Sequence, residues 1–428
     1  MIGSNQVRKF LVPAFLIVIL VVSIFAVYLS FSNGSQTKAD PNAYVGIAFG
    51  GNKTDQAKLL IDKVKSYTNL FILDAGRNPI SADQSKVEEV CDYAVGKGLN
   101  VIINLGIKDM RDSSSWFWGQ SSLDGIKQKW TDRWGNKFLG IYYNDEPGGI
   151  QLDGSWRQFY ERATKRHLDT SSDPALQSLN EIAQKLTAYV ENGTKPSPDD
   201  YELEAEFFMD YVITHDRGME NLTAAGIRSF TSDYGLYWWD YKGGYDVMLA
   251  ELGWNVSVAE QIALVKGAAR LQDKEWGTMI TWKYRSPPYL DSGNEIYNQM
   301  LMSYQAGAKY IAIFNYPYED GAYGTLTSDH FAALQRFWND ITTKKYADLS
   351  LPQAALVLPK NFGWGLRNPN DTVWGFWLTD NRTNQVAIVT AMCIYYYGVN
   401  LDIVYEDSTY PITNVAYQKV YYWNATAI

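Results

Sequence analysis

Cysteine is almost missing. Cys91 and Cys393 are the whole complement of a 428-residue chain. They fall in different expected domains, so no disulfide framework holds the fold together. Histidine is equally scarce, and His167, His215 and His330 match no metal-ligand spacing, which argues against a histidine-based metal site. Positive charge is in deficit. The formal net charge is −9, which argues against nucleic acid as the main partner. The first apolar run of the folded region ends in Gly50-Gly51-Asn52-Lys53-Thr54. That stretch has neither the dinucleotide nor the P-loop spacing, and no cofactor is expected.

Aromatic residues, by contrast, are abundant. They make up 15% of the chain, with 15 Trp and 31 Tyr. Their flat apolar faces with a polar tip suit sugar rings. For any single one, a place in the core is the rival reading.

One long apolar run does occur. Residues 10–31 are long enough to span a bilayer as a helix, which takes about 20 residues. Arg8 and Lys9 precede the run, so residues 1–9 are expected in the cytoplasm and the rest outside. The run exceeds a signal-peptide core and no clear cleavage site comes after it, which favours an uncleaved anchor over a signal peptide. Residues 32–43 read as a polar linker. Asparagine-linked glycosylation motifs begin at Asn33, Asn52, Asn192, Asn221, Asn255, Asn370, Asn381 and Asn424, in keeping with an extracellular chain at the cell membrane.

From residue 44 short apolar runs alternate with amphipathic helical stretches. The runs are 44–50, 69–76, 100–106, 138–146, 227–234, 246–253, 277–284 and 309–317, and the helices include 54–68, 83–98, 121–136, 257–274, 294–308 and 327–344. This alternation implies parallel strands with crossover helices, and the count predicts a (β/α)8 TIM barrel over 44–345. A helical insertion interrupts it at about 150–226, with helices near 175–191 and 199–217. Insertions of this kind shape a binding site or an interface. A small α/β unit comes next at 350–428, with strands at 354–359, 401–405 and 419–423 and a helix at 383–399. Three strands are few for a free-standing domain, so this unit is expected to lean on the barrel or to build a homo-oligomer with another copy.

Barrel chemistry sits at the C-terminal strand ends. There the chain offers Asp74, Asn104, Trp116, Trp118, Asn144, Asp145, Glu146, Trp238, Glu251, Trp282, Tyr284 and Tyr316. Hydrolysis of a glycosidic bond needs one protonated and one ionised carboxyl group. Glu146 and Glu251 lead, each placed after apolar residues where burial and a like-charged neighbour raise a pKa. Asp145 is either the helper of Glu146 or the catalytic residue itself. The rival readings are a turn cap for Asp145, a salt bridge to Lys283 or Arg285 for Glu251, a structural hydrogen bond for Asp74 and a packing layer for Trp282.

The segment Asn144-Asp145-Glu146-Pro147 resembles the Asn-Glu-Pro end of strand four in the large retaining glycoside hydrolase clan of β-galactosidases, cellulases and mannanases. That likeness implies an acid/base role for Glu146 and a sugar 2-hydroxyl contact for Asn144 or Asp145. Ala354-Ala355-Leu356-Val357-Leu358-Pro359, with the helix and strand after it, is similar to a truncated form of the flavodoxin-like domain behind the barrel of one β-galactosidase family. One departure stands out. The clan places its nucleophile, a Glu, at the end of strand seven, and Thr278-Met279-Ile280-Thr281-Trp282-Lys283-Tyr284-Arg285 contains none, while Glu275 lies at the opposite end. Either Glu251 on strand six substitutes, as in barrel families that pair strands four and six, or the strand count is displaced by one, or the protein binds glycans without cutting them. The expectation is a membrane-anchored extracellular glycoside hydrolase acting on an oligo- or polysaccharide; the alternative is a non-catalytic glycan-binding or cell-surface structural barrel.

Overall fold

The computed structural model describes residues 43–74, 80–105, 120–155, 188, 191–192, 197–213, 218–316, 322–344, 346, 348–368, 370–375 and 377–428. The expected anchor at 10–31, its flanks, Trp116 and Trp118 lie outside them. Among the described residues no helix is long and apolar enough to cross a membrane.

Eight strands close into a parallel barrel in chain order. They are β1 (Tyr44–Phe49), β2 (Leu70–Asp74), β3 (Asn100–Asn104), β4 (Phe138–Tyr142), β5 (Ser229–Asp233), β6 (Val247–Leu252), β7 (Glu275–Ile280) and β8 (Tyr310–Asn315). The ring shuts where Phe49 of β1 sits opposite Asn315 of β8. The helices wrapped outside are α1 (Thr54–Val64), α2 (Gln84–Gly96), α3 (Gln120–Trp134), the single turn α4 (Pro147–Ile150), α5 (Pro198–Ile213), α6 (Gly218–Ala224), α7 (Tyr237–Lys242), α8 (Val258–Leu271), α9 (Gly293–Gln305) and α10 (Ser328–Thr343). Capping fixes several starts: Asp83 accepts from the Ser85 amide, and Thr327 and His330 form a reciprocal box.

Two apolar clusters divide the barrel. Val45, Ile47, Phe71, Leu73, Val101 and Ile103 face outward under the helices. Ala48, Leu70, Ile72, Ile102, Tyr142, Phe230, Leu249 and Met279 fill the interior. Side chains alternate along a strand, so the residue two beyond each interior position also points inward, at the C-terminal mouth. Asp74 comes two after Ile72, Asn104 two after Ile102, Ser232 two after Phe230 and Glu251 two after Leu249. The top layer of the barrel is therefore polar, above an apolar floor.

The C-terminal unit is a three-stranded parallel sheet of β9 (Ala354–Leu358), β10 (Leu401–Tyr405) and β11 (Lys419–Tyr422) in the order β10-β9-β11, with helix α11 (Asn381–Tyr397). It rests on the barrel through α8, where Gly267 lets the helix approach β10. A Cβ at that position would lie 2.4 Å from the Ile403 carbonyl oxygen. Lys266 and Asp402 form an ion pair at 3.3 Å with both side chains at 0% exposure, and Arg270 adds a second bond to Asp402 at 2.7 Å. Cys91 and Cys393 are both buried free thiols.

Candidate active site

Strand four ends under strain. Asn144 and Glu146 have φ of 54° and 51°. Asn tolerates this left-handed region, but for Glu it costs on the order of 1–3 kcal/mol and persists only where neighbours enforce it. The neighbours are identifiable. Thr231 donates to the Asn144 carbonyl, the Glu146 amide donates to the Ser232 carbonyl at 3.1 Å, and Tyr245 donates its hydroxyl to the Tyr143 carbonyl at 3.0 Å. Beyond Pro147 the amides of Gly148 and Gly149 donate to the two carboxylate oxygens of Asp233 at 2.5 and 2.7 Å. Glycine is needed at both positions. A Cβ at residue 148 would lie 2.8 Å from Asp233 Oδ2, and one at residue 149 would lie 2.2 Å from the Tyr234 ring.

This turn brings Glu146 close to Glu251 at the barrel mouth, where each carboxyl group shifts the titration of the other. Burial first, then the charges of Asp145 and Asp233, push the Glu146 carboxyl up to about 8. Glu251 is 3% exposed, and burial followed by the charge of Glu146 drives it well above the usual carboxylate range. Neither Lys283 nor Arg285 pairs with Glu251. Lys283 is taken by Asp291 at 2.9 Å, and Glu251 Oε1 accepts from the Ser232 hydroxyl at 2.6 Å while Oε2 meets no donor.

A chain of short contacts links these acids. Asp145 Oδ1 lies 2.5 Å from the Tyr142 hydroxyl, which lies 2.7 Å from Ser232 Oγ, which lies 2.6 Å from Glu251 Oε1. The two hydroxyls carry one proton each, so three such contacts are all hydrogen bonds only when Asp145 or Glu251 brings a third proton. A protonated carboxyl group here satisfies all three contacts, in keeping with the raised Glu251 carboxyl. Burial and the charges of Asp145, Asp74 and Glu251 also raise the Tyr142 phenol well above its ordinary value, so it stays a neutral donor.

The remaining sequence candidates sort clearly. Asp74 and Asn104 face each other across β2 and β3, with Asn104 donating at 2.6 Å. Trp282 centres an aromatic wall on the far rim, 6.1 Å from Trp254, 5.9 Å from Tyr316 and 6.2 Å from Phe314 by ring centres. Trp254, Tyr284 and Tyr316 are exposed there. Trp238 is a correction. It is buried on α7, packing on Tyr405 and Tyr410 of the C-terminal unit with its indole nitrogen 3.4 Å from Asp407, because α7 turns its apolar side toward that unit rather than the barrel mouth. Glu275 lies at the N-terminal end of β7, bound to Arg228, Lys309 and Tyr310. Asn52, Asn192, Asn255, Asn370, Asn381 and Asn424 are exposed and Asn221 is half-buried. Among the described residues no cluster of His, Cys, Asp or Glu has the arrangement to hold a metal ion.

Ser232 and Trp254 stand on the rim in the sequence but were given no role there, and Tyr142 was passed over. The alternation that marks Phe230 as an interior residue would have given one to Ser232, two positions on. Nothing in the sequence announced that the Tyr142 hydroxyl joins two acids.

No protein-family model matches the sequence, and no curated protein matches it. Solved structures of similar fold include the catalytic module of a family 98 glycoside hydrolase from Streptococcus pneumoniae TIGR4, 11% identical, covering 91% of this chain and 67% of that one with a TM-score of 0.45. A family 5 xyloglucanase from Bacteroides ovatus is 11% identical, covering 69% and 75% with a TM-score of 0.36. A thiamine phosphate pyrophosphorylase from Pyrococcus furiosus is 6% identical, covering 70% and 97% with a TM-score of 0.33. The likeness is one of fold: the chain carries a closed eight-stranded parallel barrel of the TIM type.

Proposed function

We propose that the protein is a glycoside hydrolase whose working pair is Glu146 and Glu251. The observation that carries this reading is the meeting of the two carboxyl groups at the C-terminal mouth of the barrel. Glu146, held up to about 8 by burial and neighbouring acids, is the proton donor at neutral pH. Glu251 attacks through Oε2 in the state of the pair whose proton sits on Glu146, and the Ser232 hydroxyl steadies the other oxygen. Attack forms a bond from Glu251 to the anomeric carbon as the glycosidic bond breaks, and the Glu146 proton passes to the leaving oxygen. Water then gives its proton back to Glu146 and releases the sugar from Glu251. Inverting enzymes need about 6.5–9.5 Å between carboxyl groups to seat a water, and retaining ones about 5–5.5 Å. Acids close enough to shift each other's titration lie nearer the retaining spacing than the inverting one. The aromatic wall around Trp282 offers the apolar faces that a sugar ring stacks on.

Proton NMR of the first product from an aryl glycoside or oligosaccharide tests this. Retained anomeric configuration is expected, and Glu146→Gln should lower the rate by about 10³-fold. An inverted first product, or full activity in that variant, defeats the assignment.

A second reading, a barrel that binds glycans without cutting them, is favoured by the near-complete burial of Glu251 at 3% exposure. Glycan binding with no turnover on any substrate would establish it. In either reading we place the barrel outside the cell, tethered to its membrane by residues 10–31, because that run is long and apolar and most glycosylation motifs in the described residues are exposed. The strand order of the C-terminal unit is that of the first three strands of a flavodoxin-like sheet, in keeping with a shortened domain of that type.

A further inference from the structure

The seven residues after Glu146 do not belong to the barrel alone. A loop of the C-terminal unit, between β9 and α11, covers them. Arg367 donates to Asp153 Oδ1 at 2.8 Å and is itself gripped by Asp371 at 3.0 and 3.1 Å. Asp153 accepts the Tyr234 hydroxyl at 2.7 Å on its other oxygen. The Tyr234 ring lies on Gly149, and the Arg367 guanidinium sits 5.1 Å from the centre of that ring. Two residues earlier, Gln151 donates to the Trp374 carbonyl at 3.0 Å and to Glu204 at 2.8 Å. The loop can come so close because it carries glycines. A Cβ at Gly375 would lie 2.0 Å from the Gln151 carbonyl oxygen, and one at Gly365 would lie 2.5 Å from Leu152.

We propose that this loop is a positioning element for the barrel site, with Arg367 holding the Glu146 turn in place through Asp153 and Tyr234. Glu146 sits in a left-handed conformation that its own side chain disfavours. Asp233 fixes the turn from the barrel side through two amides, and the C-terminal loop closes it from the other. Releasing one side lets the turn relax away from Glu251. The inference rests on the hydrolase reading for its kinetic readout but not for its structural one.

Charge adds a second signature. Glu146 is faced by Asp145 on its own turn, by Asp233 and Tyr234 from the end of β5, by Glu251 from β6 and by Asp153 from the following turn. Arg367 brings positive charge to this acidic ring through Asp153. Without it the Asp153 charge stands uncompensated, and the proton on Glu146 is held more tightly.

The test uses the full chain with Arg367→Met and Arg367→Lys. Arg367→Met should lower kcat by about 10–100-fold with KM changed less than threefold, the loss that misplacement by about 1 Å brings. The basic limb of its kcat/KM profile should move to higher pH. Arg367→Lys, which keeps the charge and loses the fork, should restore the limb and only part of kcat. Hydrogen exchange of the backbone amides at residues 146–153, read by mass spectrometry, should speed up about tenfold in Arg367→Met while the strands of the barrel stay protected. Unchanged exchange and an unmoved pH profile in a folded Arg367→Met protein would overturn the proposal. If the parent hydrolyses nothing but exchange at 146–153 still rises, the hydrolase reading falls and the clamp stands.

Discussion

Replacing Glu251 with glutamine separates the chemistry of the acid pair from its cost. At pH 8 an unfolded chain carries both Glu146 and Glu251 ionised, near their ordinary values. The folded chain keeps a proton on the pair, because burial and the surrounding acids raise both carboxyls. The native state therefore binds more protons than the unfolded one between about pH 4.5 and 8, and stability falls as pH rises through that window. Two unit charges about 4 Å apart at an effective dielectric near 20 repel by about 4 kcal/mol, roughly three pKa units. Sharing a proton avoids part of this, so Glu251→Gln should recover about 2–4 kcal/mol at pH 8 and little at pH 5. The glutamine still accepts from Ser232 and can donate to Glu146. At about 2.1 cal/mol/K per residue, 428 residues have an unfolding entropy of roughly 0.9 kcal/mol/K. The gain is then about 2–4 °C in Tm. Thermal melts of parent and variant at pH 5 and pH 8 measure it, beside a loss of about 10³-fold in turnover. A Tm difference that is the same at both pH values, or a parent more stable at pH 8 than at pH 5, would refute the sharing of a proton.

Trp282→Ala should raise KM roughly tenfold, about 1.4 kcal/mol of binding, with kcat nearly unchanged; a fall confined to kcat would remove the stacking role. Tyr142→Phe and Ser232→Ala each break the contact chain from Asp145 to Glu251. Their combined loss in kcat/KM should be smaller than the product of the single losses, and strict additivity would show that the chain does not act as a unit. Asp402→Ala leaves the fully buried Lys266 ammonium without its carboxylate and should cost roughly 3–5 kcal/mol, most of it returned by adding Lys266→Met. Chemical denaturation of the single and double variants checks this.

The barrel was legible because its rhythm is local. Eight apolar runs lie between amphipathic helices, and each expected strand overlaps an observed one. Boundaries moved where turns intervened. The run expected to continue to Glu146 stops pairing at Tyr142, since Asn144 and Glu146 turn left-handed. The helix expected over 199–217 is described as α5, ending at Ile213, and α6 starts at Gly218. Residues of the candidate site were legible where they repeat a strand's alternation, as Asp74, Asn104 and Glu251 do. Trp238 misled because a tryptophan near a strand end looks the same whether it faces a cleft or a neighbouring domain. Only the position of the C-terminal unit separates the two cases. The contacts of Asp233 with Gly148 and Gly149 were illegible too, since they join residues more than eighty positions apart.

Helix α8 has a consequence in time. Ten of its fourteen residues are buried, because the barrel covers one flank and β10 the other. During synthesis the eight barrel strands leave the ribosome before β10 exists. For the roughly 130 residues between Lys266 and Asp402, at about 5–20 residues per second, the nascent chain carries a half-clothed helix for some 7–26 seconds. A lysine destined for burial is then still wet, and leucine and valine are open to other chains. Slow translation or a shortage of chaperones should therefore be felt first at this helix, well away from the acids at the barrel mouth.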